Sequence, residues 1–162
     1  MRRVTTMFLS AVAMVAVVPA GQARAASSVA SCTYSWTDTA SPGVGATPSR
    51  SQFTSNGEKW PLPCQGLVRG SQVTGPGTFG EDGVFDGSCS SGSGEVNFSF
   101  TIPTAAGAQR FRLTFPFVYG PGAGTARTDT FPGVFAFFPK KGDCINAPVT
   151  EFDVYRSAIL LT

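Results

Sequence analysis

The sequence predicts an all-β protein, an antiparallel β-sandwich held by two disulfides, and three observations carry that prediction. Apolar residues alternate with polar ones over several short stretches, and none shows helical spacing. Gly (19) and Pro (12) are abundant and mostly punctuate those stretches, where turns between strands need them. Four cysteines follow an export-type N-terminus, the setting in which small domains are stapled. At 162 residues the chain suits a single domain.

The first element is a leader. Arg2 and Arg3 form a positive start, Phe8 to Val18 an apolar run, and Ala23-Arg24-Ala25 a small-x-small cleavage pattern. The run is too short to cross a bilayer core of roughly 30 Å as a helix, so no transmembrane segment is expected. Val4-Thr5-Thr6 does not continue a twin-arginine motif, which favours general secretion. Residues 1–25 are read as a cleaved signal peptide and 26–162 as the mature domain, secreted and extracellular. Val29-Ala30-Ser31-Cys32 could pass for a lipobox. However, a polar, Ala-rich segment separates it from the apolar run, and lipidation would strand one cysteine.

The strands follow. Ser31 to Thr37 puts Cys32, Tyr34 and Trp36 on one face. Glu95 to Ile102 alternates Val96, Phe98, Phe100 and Ile102 with Asn97, Ser99 and Thr101, and Arg110 to Tyr119 alternates again, so the two read as a hairpin over a Phe-rich core. Pro116 has no N–H for a ladder, which makes that strand an edge or bulged there. Val134 to Phe138 and Pro148 to Leu161 are further strands. In the latter the apolar phase shifts from Phe152 and Val154 to Ile159 and Leu161, which predicts a bulge near Arg156-Ser157. Weaker strands are expected at Ser51–Thr54, Gly66–Thr74 and Gly83–Asp86. Gly75 to Gly80 fits G-x-G-x-x-G, but with no following helix it reads as a turn, and Gly120 to Gly124 likewise. Ser90 to Gly94 reads as a hairpin loop.

No Cys-x-x-Cys occurs, so neither a redox motif nor a zinc site has local support. Two disulfides are expected, and four cysteines leave three connectivities open. Cys32–Cys64 with Cys89–Cys144 is preferred, because the first stretch is rich in Pro, Gly and Ser and gains most from a staple.

Composition excludes several functions. The absence of histidine removes His-based triads and His-ligated metals. With 42% hydrophobic residues the chain is not disordered, and a net charge of +2 is too small for a nucleic-acid binder. Loss of Arg2, Arg3 and Arg24 with the leader leaves fewer cations than carboxylates.

Three carboxylates, Glu81, Asp82 and Asp86, lie within six residues among glycines. They are candidate oxygen ligands for structural calcium, although the spacing is not that of an EF-hand, and the alternative is an acidic solvated turn. A carboxylate hydrolase also needs only two acids, and ranks third among the readings. Trp60, Tyr34, Tyr119 and Tyr155 combine a ring face with a polar handle suited to sugar stacking or to anchoring a protein. Trp60, between Lys59 and Pro61, is placed in an exposed loop.

Gly87-Ser88-Cys89 before a Phe-rich hairpin, then Gly142-Asp143-Cys144 and Pro148-Val149-Thr150, is similar to small exported β-rich proteins of actinobacteria. The resemblance covers the C-terminal half. It implies a Cys89–Cys144 bond and carries over no functional residue. The expected function is therefore non-catalytic binding, as a protein-interaction or adaptor subunit of an extracellular assembly. Contact is expected at the Pro116 strand, the Trp60 loop or the segment before Cys32. The alternative is a carbohydrate-binding module that recognises polysaccharide through exposed aromatics.

Overall fold

A computed structural model describes residues 29–55, 60–126 and 128–161; the expected leader lies outside the described residues. Eleven strands run in chain order: β1 (Val29–Val44), β2 (Ser49–Thr54), β3 (Trp60–Leu62), β4 (Cys64–Val68), β5 (Ser71–Gln72), β6 (Gly77–Ser88), β7 (Ser91–Thr104), β8 (Gly107–Gly120), β9 (Ala123–Ala126), β10 (Gly133–Lys141) and β11 (Val149–Leu161). All pairings are antiparallel, and no helix occurs among the described residues. The expected all-β fold is present. β11 pairs along β1, so the path β1-β2-β6-β7-β8-β9-β10-β11 returns to its start. The opposed layers expected of a sandwich are opposite walls of one closed sheet. Eight strands leave an interior that side chains can fill or that can hold one small ligand.

Both preferred disulfides form: Cys32–Cys64 between β1 and β4, and Cys89–Cys144 between the β6–β7 turn and the β10–β11 connection. Cys32 is thus unavailable as a lipid anchor. Two disulfides fit an oxidising compartment.

Alternation places Phe79, Phe98, Phe100, Phe111, Ile102 and Leu160 inside one end of the barrel, with Leu62 and Val68. Here β9 is too short to reach beyond Phe117 of β8, so the β8 edge from Gly107 to Pro116 pairs only with β7. Pro116 therefore sits where its missing N–H leaves no ladder incomplete, as expected of an edge. Phe131, just before β10, fills the space beneath, stacked on Phe98 and Phe100.

Five expectations need correction. Register through Arg156 and Ser157 is continuous with both β1 and β10, so β11 has no bulge there. Arg156 takes an inward slot between Val154 and Ala158, and Ile159 points outward. Gly77 to Gly80 belong to β6, because glycine is tolerated in a strand whose partners supply the ladder. Ser91 to Gly94 likewise belong to β7, which tightens the hairpin to Cys89-Ser90, and Ala123-Gly124 belong to β9, which leaves Pro121-Gly122 as the turn. Trp60 is in β3, paired with Phe79 and half-buried against the core.

Candidate functional site

The other end of the barrel is hollow. A cavity of about 270 Å³ lies among Phe53, Phe85, Phe115, Phe117, Tyr119, Phe135, Phe137 and Phe152. It reaches the strand ends at Pro121-Gly122, Pro139 and Cys144. Its origin is local sequence. Four of the six inward slots of β6 and β7 toward this end are glycine, Gly83, Gly87, Gly92 and Gly94, and the other two are Phe85 and Val96. Rings lie against these bare backbones: a Cβ at Gly83 would stand 2.5 Å from the Phe53 ring, and one at Gly92 2.6 Å from Tyr119. The aromatics are thereby drawn to the walls and the centre stays open. Tyr119 is fixed by its hydroxyl, which donates to Ser88 O at 2.8 Å.

Between the hollow and solid ends lies a polar layer. Alternation along β1 continues inward from Tyr34 and Trp36 to Asp38, β6 contributes Glu81, and β11 contributes Arg156. Asp38 is 1% exposed, Glu81 8% and Arg156 4%, and all three line the cavity. Trp36 Nε1 donates to Glu81 Oε1 at 3.1 Å. The backbone of Glu81 is clamped by Ser55, whose N–H donates to Glu81 O at 3.0 Å and whose Oγ accepts from Glu81 N at 3.1 Å.

The Asp38 and Glu81 carboxyls are buried neighbours in this layer that influence each other's ionisation. Burial pushes Asp38 up to about 6, against which its hydrogen bonds with Glu81 and Trp36 act. Burial, then the adjacent Asp38 charge, raises Glu81 well above the ordinary carboxylate range. Two carboxyls buried side by side do not both ionise freely, so the pair holds protons to higher pH than exposed carboxyls do. Burial also holds the Tyr34 phenol well above its ordinary value.

The Arg156 guanidinium lies over Phe115 at 4.9 Å, Phe131 at 5.1 Å and Phe98 at 5.7 Å from the ring centroids, which are cation–π distances. Its Nη2 makes a long contact to Phe131 O at 3.4 Å, and its Nε is buried without a partner. Asp38 Oδ1 is buried too, likewise without a partner. Chemically, the layer offers an acceptor and a cationic donor at the base of an aromatic chamber.

Several expected site residues lie elsewhere. Strand alternation splits the acidic cluster: Glu81 points into the barrel, while Asp82 and Asp86 point outward, where Asp86 pairs with Arg50 at 3.0 Å and Asp82 accepts from Asn97. Among the described residues no group of three acids or cysteines converges as metal ligands. The four aromatics share no face. Tyr34 is core, Tyr119 lines the cavity, Trp60 is half-buried on β3, and Tyr155 is exposed on β11. Sequence reasoning missed Asp38 and Arg156. Each was signalled by a charged residue in phase with an inward apolar series, Cys32-Tyr34-Trp36 for one and Phe152-Val154 for the other. The chain matches no family model, no curated protein and no solved structure.

Proposed function

We propose that this protein is an exported barrel that binds a small apolar molecule in its hollow end. The observation that carries the reading is the aromatic chamber closed at its base by Asp38, Glu81 and Arg156. A concave, mostly apolar site with few convergent polar groups is the usual form of a small-ligand pocket. Buried charge is costly unless it is paired and hydrogen-bonded, and here Asp38 Oδ1 and Arg156 Nε have no partner within the fold. Export is supported by the leader-like N-terminus and the two disulfides, and no helix among the described residues is long and apolar enough to cross a membrane.

The test is a fluorescence titration with a neutral, environment-sensitive two-ring dye. Saturable blue-shifted emission with one site per chain is expected. Ala126→Phe, which narrows the lumen from β9, should weaken it at least about tenfold. Emission that does not saturate, or that ignores this substitution, rejects the reading.

A second reading rests on a different surface. Val118, Val134, Phe138, Tyr155 and Ile159 are exposed on the outer face of β8, β10 and β11, with Phe138 and Tyr155 in edge contact at 5.8 Å. Exposed apolar groups gathered on one wall favour a protein partner seated there. Concentration-dependent sedimentation that disappears in Phe138→Asp supports a second copy as that partner. A monomer at all concentrations removes self-association.

A further inference from the structure

The electrostatics of the polar layer narrow the ligand class, an argument that rests on the apolar-binding reading above. Asp38 and Glu81 are buried side by side, which disfavours a second negative charge in the pair, and one guanidinium, that of Arg156, lies in the same layer. The interior is therefore balanced as it stands. A ligand cation or anion would leave a net charge in a chamber walled by phenyl rings, where burial of uncompensated charge is strongly unfavourable. A wholly apolar ligand would leave the remaining acceptor capacity of Asp38 and the unpartnered Arg156 Nε unused. A hydroxyl group satisfies both demands, since it is neutral, donates one hydrogen bond and accepts others.

Size sets a further limit. A cavity of about 150 Å³ suffices for benzene. The 270 Å³ here accommodates a two-ring skeleton or an alicyclic molecule of similar bulk.

We propose that the hollow end selects a neutral, two-ring-sized alcohol or phenol whose O–H donates to the Asp38 carboxylate. The rings of Phe85, Phe117 and Phe137 contact its apolar body, and the hydroxyl lies at the polar layer beside Trp36.

Calorimetric titration of the protein with both disulfides formed, at pH 7, tests this with five probes of one skeleton: naphthalene, 2-naphthol, 2-methoxynaphthalene, 2-naphthoate and 2-naphthylmethylammonium. 2-Naphthol should bind at least about tenfold more tightly than naphthalene, in line with a hydrogen bond to a charged acceptor. 2-Methoxynaphthalene keeps the oxygen but has no O–H, and should fall back to the affinity of naphthalene. The carboxylate and the ammonium should bind more weakly than 2-naphthol. In Asp38→Asn the preference for 2-naphthol over naphthalene should shrink to within about threefold. The methoxy comparison needs no variant, so it decides the question even if Asp38→Asn fails to fold. Equal binding of naphthalene, naphthol and the methyl ether overturns the proposal and leaves the apolar chamber standing. Tightest binding of either ion overturns it too. Binding of none of the five overturns the proposal together with the reading it rests on.

Discussion

At the end of the barrel that carries the Cys32–Cys64 bond, the inward slots of β6 and β7 hold Phe79, Phe98, Phe100 and Ile102 with one glycine, Gly77, whereas at the opposite end four of six are Gly83, Gly87, Gly92 and Gly94, beside Phe85 and Val96. The first set interdigitates with Phe111 and Phe131 into a stack of rings 4.7 to 5.8 Å apart. The second lets the rings opposite lie against the backbone and leaves a chamber between them. Aromatic content alone therefore does not decide whether a barrel is solid. The residue facing each ring decides it, since a bare backbone draws a ring to the wall and a second side chain draws it to the centre.

The comparison breaks most readily at the solid end. Phe98 is fully buried, touches the rings of Tyr34, Phe79, Phe100 and Phe131, and lies beneath the Arg156 guanidinium. Phe98→Ala should cost about 3–5 kcal/mol by urea denaturation, because close neighbours on every side cannot collapse into the void. Phe137, half-buried at the chamber, already borders open space. Phe137→Ala should cost well under half of the Phe98 value and enlarge the chamber. Equal costs would mean that the chamber wall is packed as tightly as the core.

The two disulfides extend the contrast. Their sequence separations, 32 and 55 residues, give each about 3–4 kcal/mol on chain-entropy grounds, with the longer loop ahead by about 0.5 kcal/mol. Their local effects should differ more than their totals. Cys89 and Cys144 line the chamber, and Cys144 lies in the turn organised by Asp143, whose carboxylate accepts N–H groups of Ile145, Asn146 and Ala147. These hydrogen bonds, led by the Asn146 side chain, hold Asp143 well below the usual carboxylate range. Removal of Cys89–Cys144 by paired Ser substitution should release amide exchange at residues 142–149 and at the β6–β7 turn. Removal of Cys32–Cys64 should raise exchange along β1 and β4. Uniform acceleration in both variants would show that the two ends unfold as one unit.

How much of this was legible in the sequence depends on what each residue's partner had to supply. Alternation located β7, β8 and the inward face of β1 because apolar side chains occupied every second slot. It failed where the inward slot was glycine, so that Gly77–Gly80 and Ser91–Gly94 read as turns although strand neighbours complete their ladders. It failed again at Arg156, where a charge in an inward position was read as a change of phase. Two of those failures, at Ser91–Gly94 and at Arg156, fall at the candidate site. Glycine slots make the chamber and an inward charge lines its base, and both depart from the pattern that marks an ordinary core strand. Closure through β1 and β11 joins residues 29 and 161 and leaves no local trace in the chain.

The polar layer between the two ends supplies a pH test. Unfolded carboxyls titrate near 4, and burial raises both Asp38 and Glu81 above that in the fold. Their contribution to stability is therefore fully present below about pH 4 and is lost as pH rises through about 6 and beyond. Folding free energy from urea denaturation should fall steadily between pH 4 and pH 7.5. Glu81→Gln, which keeps a hydrogen-bond donor beside Asp38 and removes one titrating group, should flatten that fall. A profile that rises over the same range would place the balance of titrating groups outside the barrel.

The smallest effect separates the inner wall from the outer one within a single stretch. Asp86 is five residues beyond Glu81 on β6 but points to solvent, where its bridge to Arg50 at 3.0 Å has both side chains more than 60% exposed. Such a pair contributes roughly 0–1 kcal/mol, screened further by salt. Asp82→Asn with Asp86→Asn should therefore change the urea midpoint by less than about 1 kcal/mol, and less still at 0.5 M salt, with dye binding unchanged. Glu81→Gln should shift both the pH profile and binding. The decisive comparison is binding with and without added calcium in the double variant. Loss of binding that calcium restores in the parent alone would move the working carboxylates to the outer wall, and would return the acidic stretch to the metal role that its sequence first offered.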